Sequence, residues 1–114
     1  MRHLKKKKIG KGMDHRRKLM RTLASSVILY ERIETSYANG RAVRPYVEKA
    51  ITQAKNNSLH SRRLLLSKLT TMAAKKALEV MGPKYKDRKG GYTRVIKVKT
   101  RLSDGARMAQ IEFV

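Results

Sequence analysis

Lysine and arginine outnumber aspartate and glutamate by 29 to 8 in a chain of 114 residues, which leaves a formal net charge of +21 at pH 7. No other feature constrains the chain as strongly. Positive charges at this density repel one another, so the compact state is relieved when a polyanion supplies counter-charge. Nucleic acid is the partner this composition points to. A chain this short has room for one core and no second. With 40% hydrophobic residues it has the material to build that core. The expectation is a small folded body with basic extensions, not a disordered basic peptide.

The charge is unevenly placed. Residues 1–21 hold ten basic residues against Asp14, and residues 84–101 hold eight against Asp87. The stretch between is milder, and the last thirteen residues are slightly acidic. Arg2 to Gly12 lacks apolar periodicity and contains two glycines, so residues 1–13 are expected to form a solvated basic arm that orders on binding. Residues 14–114 are expected to form one globular domain.

Apolar spacing gives the elements of that domain. Leu19, Met20, Leu23, Ala24, Val27 and Ile28 recur at helical steps, which predicts a helix over about residues 15–30 with Asp14 as its N-cap. Ile33, Thr35 and Tyr37 alternate as in a short strand, which Asn39-Gly40 ends. Val43, Tyr46, Val47, Ala50, Ile51 and Ala54 predict a second helix over about 41–55. Pro45 either lies in its first turn or interrupts an earlier one. Ser58 caps a third helix through Leu69. Thr70 or Thr71 caps a fourth ending at Gly82-Pro83, and the two could be one bent helix. Tyr92 to Lys99 reads as a strand, Ser103-Asp104-Gly105 as a turn and Ala106 to Val114 as a second strand. An isolated hairpin is marginal in water. The fold class is therefore α+β, with three or four helices packed on a small three-stranded sheet that Ile33 to Tyr37 completes.

Chemistry other than binding finds little support. Zero cysteines exclude disulfides and thiolate metal sites. His3, His15 and His60 show no metal-ligand spacing, and Gly10-Lys11-Gly12 and Lys89-Gly90-Gly91 complete no phosphate-loop motif. Glu31 and Glu34 fit surface ion pairs better than a catalytic dyad. No catalytic residue, metal, cofactor or small-molecule substrate is assigned. Apolar runs such as Val27 to Tyr30 are too short to cross a membrane, and no secretory signal is recognisable, so an intracellular chain without a membrane partner is expected.

Phosphate recognition needs many cations, accessible backbone and a few flat side chains, and these are present. Lys5, Lys6, Lys7, Lys8 and Lys11, with Arg2 and His3, can follow an RNA backbone from the arm. His15, Arg16, Arg17 and Arg21 extend that surface onto the first helix, and Arg62 and Arg63 add to it from the third. Lys84, Lys86, Arg88, Lys89 and Arg94 form a second grip, where Gly90-Gly91 permits close backbone approach and Tyr92 is a candidate for stacking on a base. Aromatic residues are only 5% of the chain, so shape and phosphate contacts should outweigh base readout, as for folded RNA. A DNA-compacting protein and a membrane-surface peptide are the competing classes.

Longer segments add a resemblance. Met1-Arg2-His3, His15-Arg16 and Glu31 to Thr35 come first, followed by Arg44-Pro45, Glu48 to Lys55 and Arg62-Arg63. Gly82 to Tyr85, Arg88 to Arg94 and Met108 to Val114 complete the series. In this order they resemble the bacterial ribosomal large-subunit protein family numbered seventeen, over the whole chain. The resemblance implies an α+β, non-enzymatic protein of the bacterial cytoplasm, bound within the ribosome to large-subunit rRNA. It would lie near the exit of the nascent-chain tunnel, among neighbouring large-subunit ribosomal proteins. Since the resemblance begins at Met1, no cleaved import sequence is expected.

Overall fold

In the computed structural model, which describes residue 9 and residues 12–114, helix α1 (Met13–Tyr30) turns its expected stripe inward. Ala24, Val27 and Ile28 are buried, and Met20 and Leu23 pack on the same core. The helix begins two residues earlier than its apolar spacing indicates. Gly12 is its N-cap, with no side-chain bond, and Asp14 lies in the first turn instead of capping it. There the carboxylate still meets the positive end of the helix dipole. At the other end Glu31 adopts φ 63°, and Lys76 donates to the Leu29 carbonyl at 2.9 Å, satisfying one of the last free acceptors.

Strand β1 (Arg32–Ser36) passes directly into helix α2 (Tyr37–Ala54). Tyr37 thus belongs to the helix, and Asn39-Gly40 interrupts nothing. The Ser36 side chain caps the helix by accepting from the Asn39 amide at 3.3 Å. Gly40 is buried, and a methyl group there would touch Thr35, Val95 and Ala109 at 3.6–3.8 Å. The residue read as a breaker is where the helix lies on the sheet. Pro45 sits two turns into α2 on its exposed side. The hydrogen bond that it cannot make to Arg41 is therefore lost where water can replace it.

Helices α3 (Leu59–Lys68) and α4 (Thr71–Lys76) are separate, because Leu69 between them is extended. Ser58 caps α3 and Thr70 caps α4. From α4 the chain continues through a π-helical turn, Ala77–Met81, and a short α-helical turn, Gly82–Lys84. Gly82-Pro83 therefore does not stop the helix at Gly82. Gly82 keeps helical angles, and a methyl group on it would lie 2.8 Å from the Ala54 carbonyl oxygen. Its missing side chain allows two helical segments to touch, and Pro83 is tolerated within the new first turn.

Strands β2 (Thr93–Lys97) and β3 (Met108–Phe113) complete an antiparallel sheet of order β1-β3-β2. The register pairs Ile33 with Ile111 and Val95 with Ile111. One face of the sheet is thus apolar; α2 covers it, with α1 beside β1, and α3 and α4 pack on those two helices. The opposite face carries Arg32, Glu112 and Arg94 in one row. The expected α+β layout, with a C-terminal hairpin extended by the earlier strand, is the one observed.

Candidate nucleic-acid interface

The segment from Lys84 to Gly91 is a loop with its tyrosines inside and its cations outside. Tyr85 near its start and Tyr92 just after it are 3% and 1% exposed, and pack with ring centroids 5.2 Å apart. Phe113 stacks on Tyr85 at 5.9 Å. The Tyr85 hydroxyl donates to the Val114 carbonyl at 2.8 Å, and the Tyr92 hydroxyl donates to the Arg88 carbonyl at 3.1 Å. Lys55, the C-cap of α2, reaches across to donate to that same carbonyl and, at 3.0 Å, to the Tyr92 hydroxyl. Burial pushes the Tyr92 phenol up, but its hydrogen bonds with Thr52 and Lys55 and the Lys55 charge outweigh that and leave it lowered. These contacts anchor the loop at three points.

This packing corrects the role considered for Tyr92. A ring that is 1% exposed offers no face to a base, and its function is to hold the loop in shape. Lys84, Lys86, Arg88, Lys89, Gly90 and Gly91 are all exposed around it. Gly91 requires glycine for its φ of +65°, whereas a methyl group on Gly90 would meet nothing within 4 Å. Internal packing does not demand the absence of a side chain at Gly90, so the space beside its backbone is open to a ligand.

The other expected site residues fall into three groups. Arg2, His3, Lys5, Lys6, Lys7, Lys8 and Lys11 lie outside the described residues. His15, Arg16 and Arg17 occupy the first turns of α1, while Arg62 and Arg63 are exposed on α3. None of these five, nor any loop cation, forms an ion pair among the described residues. Arg21 and Arg94, by contrast, already have partners. Arg21 donates to the Leu69 carbonyl at 3.2 Å, and Arg94 grips Glu112 at 2.6 Å. They tie elements together as well as presenting charge.

Besides Lys55, two more cations reach the loop that no basic block marks. Lys49 of α2 and Lys68 of α3 line a cleft of about 560 Å³ together with Lys89, Gly90 and Tyr92 of the loop. Each is an isolated lysine outside the basic blocks, so only the fold brings it to the loop. The signal available was modest: Lys49 falls off the buried Val43, Val47, Ala50 stripe and must therefore face outward. Among the described residues no group of three or more His, Asp or Glu could hold a metal ion.

A small α+β body that leaves most of its cations without acidic partners, around a rigid glycine-containing loop, has the build of a polyanion-binding protein. Comparison with known proteins narrows this class. Residues 19–114 match the family model described as ribosomal protein L17. The chain is 49% identical, over its full length and 83% of the relative, to the large ribosomal subunit protein bL17 of Wolbachia pipientis subsp. Culex pipiens. It is 45% identical to that of Akkermansia muciniphila, over its full length and 85% of the relative, and 43% identical to that of Nautilia profundicola, over 95% and 93%. The chain belongs to the ribosomal protein L17 family, and is accordingly a structural component of the ribosome and not an enzyme.

Proposed function

We propose that this chain binds large-subunit rRNA and holds its helices together near the exit of the nascent-chain tunnel, in contact with neighbouring large-subunit proteins. The observation that carries the reading is the set of unpaired, outward cations on the anchored Lys84 to Gly91 loop. Arginines at 16, 17, 62, 63 and 88 can fork onto phosphate oxygens, while Lys84, Lys86 and Lys89 act as point charges beside them. The basic arm over residues 1–13 is the other grip, threading between RNA helices ahead of the domain comprising residues 14–114. The mechanism is binding alone: cations replace condensed counterions, and a body held at two places fixes the RNA between them.

The relatives are named as large-subunit proteins, which supports the choice of subunit. Within a bacterium that places the chain in the cytoplasm, in the ribosome. The test is a salt titration of the full chain on large-subunit rRNA with duplex DNA as competitor. Neutralising roughly 6 to 10 phosphates loses about 10³ to 10⁵ in affinity between 50 and 200 mM salt. That steep fall, together with binding that survives excess DNA, is the expected result. A flat response, or equal capture by DNA, contradicts the reading.

A further inference from the structure

The Tyr37 end of α2 carries cations that the two grips do not use. The Tyr37 ring is only partly buried beside β2. The Arg41 guanidinium lies 5.8 Å and the Lys97 ammonium 5.1 Å from its centroid. Both are within the distance at which a ring quadrupole attracts a cation, about 6 Å. Two clefts meet at this ring. One, of about 420 Å³, is lined by Arg41, Arg44 and Lys97; the other, of about 380 Å³, by Lys97 and Arg107.

Acidic groups do not explain this clustering. Glu48 is the one carboxylate lining the two clefts, and it is engaged by Arg44 at 3.5 Å and by the Thr93 hydroxyl at 3.1 Å. Arg41, Lys97 and Arg107 have no carboxylate partner among the described residues. The residues outside the description contain no Asp or Glu. Tyr37 also differs from the other tyrosines that pack on the body, while Tyr30 is 72% exposed at the end of α1 and likewise has no hydroxyl partner among the described residues. Tyr46, Tyr85 and Tyr92 each donate their hydroxyl to a main-chain carbonyl. The Tyr37 hydroxyl has no such partner among the described residues. It is an aromatic ring that the fold does not tie down, ringed by charge that the fold does not neutralise.

Cations around an accessible ring are what a single-stranded nucleotide requires, with phosphates on the charges and the base on the π-face. A regular duplex keeps its bases stacked and cannot deliver one to the ring, whereas an irregular segment can. We infer that Tyr37, Arg41, Lys97 and Arg107 form a third RNA contact, which takes one unstacked nucleotide of an irregular rRNA segment. Arg41 and Lys97 move from the ring to the flanking phosphates as the base stacks on Tyr37. This contact rests on the rRNA-binding reading above and adds a place where RNA conformation, and not charge alone, is sensed. An acidic protein segment would use the same cations but would leave the ring without a base.

The test combines ultraviolet crosslinking of the full chain to large-subunit rRNA with binding by three variants. The expected results are a nucleotide adduct on Tyr37 and a loss of about 5- to 100-fold for Tyr37→Leu. Tyr37→Phe, which keeps the ring, should recover most of the affinity that Tyr37→Leu loses. Neutralising the three cations (Arg41→Gln, Lys97→Gln, Arg107→Gln) should lower the steepness of the log–log salt dependence by about 2 to 3. No adduct, with undiminished binding by the Leu and triple variants, overturns the third contact and leaves the rRNA reading intact. Weaker binding by the triple variant alone, with Tyr37→Leu unaffected and no adduct, assigns the cations to simple charge or an acidic partner and also overturns it. If the unaltered chain fails to bind rRNA, both readings fall together.

Discussion

The outer face of the sheet and the Lys84 to Gly91 loop both carry cations, yet they use them differently. On the sheet, Glu112 sits between two arginines across the strands, 3.6 Å from Arg32 and 2.6 Å from Arg94. Its carboxyl is lowered chiefly by the Arg94 hydrogen bond. In the loop, four cations surround two buried tyrosines, and none has an acidic partner among the described residues. The sheet face satisfies itself, whereas the loop is built rigid and left unsatisfied. In a chain with 29 basic residues and 8 acidic ones, where the few acids are placed decides which cations remain available to a polyanion.

The largest expected effect comes from removing the loop charges. Changing Lys84, Lys86, Arg88 and Lys89 to Gln should flatten the log–log salt dependence of rRNA binding by about 3 to 4, roughly one unit per lost phosphate contact. The same measurement on Arg32→Gln should show a change of well under one unit. Equal effects at the two regions would break the contrast. Next in size is the platform beneath the loop. Tyr85→Ala removes a buried aromatic ring and should cost about 3–5 kcal/mol in denaturant unfolding, and RNA affinity should fall although no cation is lost. Gly82→Ala pushes a methyl group against the Ala54 carbonyl and should cost about 1–3 kcal/mol. Both would show that the loop works only when its support is intact.

Smaller effects should follow on the paired side. Glu112→Gln frees Arg32 and Arg94 and should cost less stability than Gly82→Ala, with rRNA affinity unchanged or slightly increased. Asp104, held by Arg101 at 2.8 Å, has its carboxyl lowered to about 2. A lowered carboxyl contributes stability that is fully present above its ordinary value of 3.8 and is lost as pH falls toward about 2. Arg101→Gln should therefore move the Asp104 titration, followed by NMR, back toward its ordinary value.

The fold was legible where one physical signal acted alone. The helical stripe through Leu23, Val27 and Ile28, the cap at Ser58, the cap at Thr70 or Thr71, of which Thr70 is the one used, and the alternation of Ala109, Ile111 and Phe113 all correspond to observed elements. It was misread where glycine had two possible meanings. Gly40 and Gly82 resembled breakers by local propensity, but both allow a helix to lie close to its neighbour, a tertiary demand that local sequence does not display. Pro45 was ambiguous for a related reason, since a lost hydrogen bond is tolerated only if that side of the helix is exposed. Of the candidate site, the sequence displays the two basic blocks as expectations. Its inward tyrosines, and the recruitment of Lys49 and Lys68 to the loop, depend on contacts between residues distant in sequence.

The most direct measurement is a density map, at side-chain resolution, of a large ribosomal subunit assembled with this chain. Lys84, Lys86, Arg88 and Lys89 should lie within hydrogen-bonding reach of RNA phosphates, while Arg32 and Arg94 keep their grip on Glu112. A map with the loop facing solvent and the sheet face pressed against RNA would contradict the account.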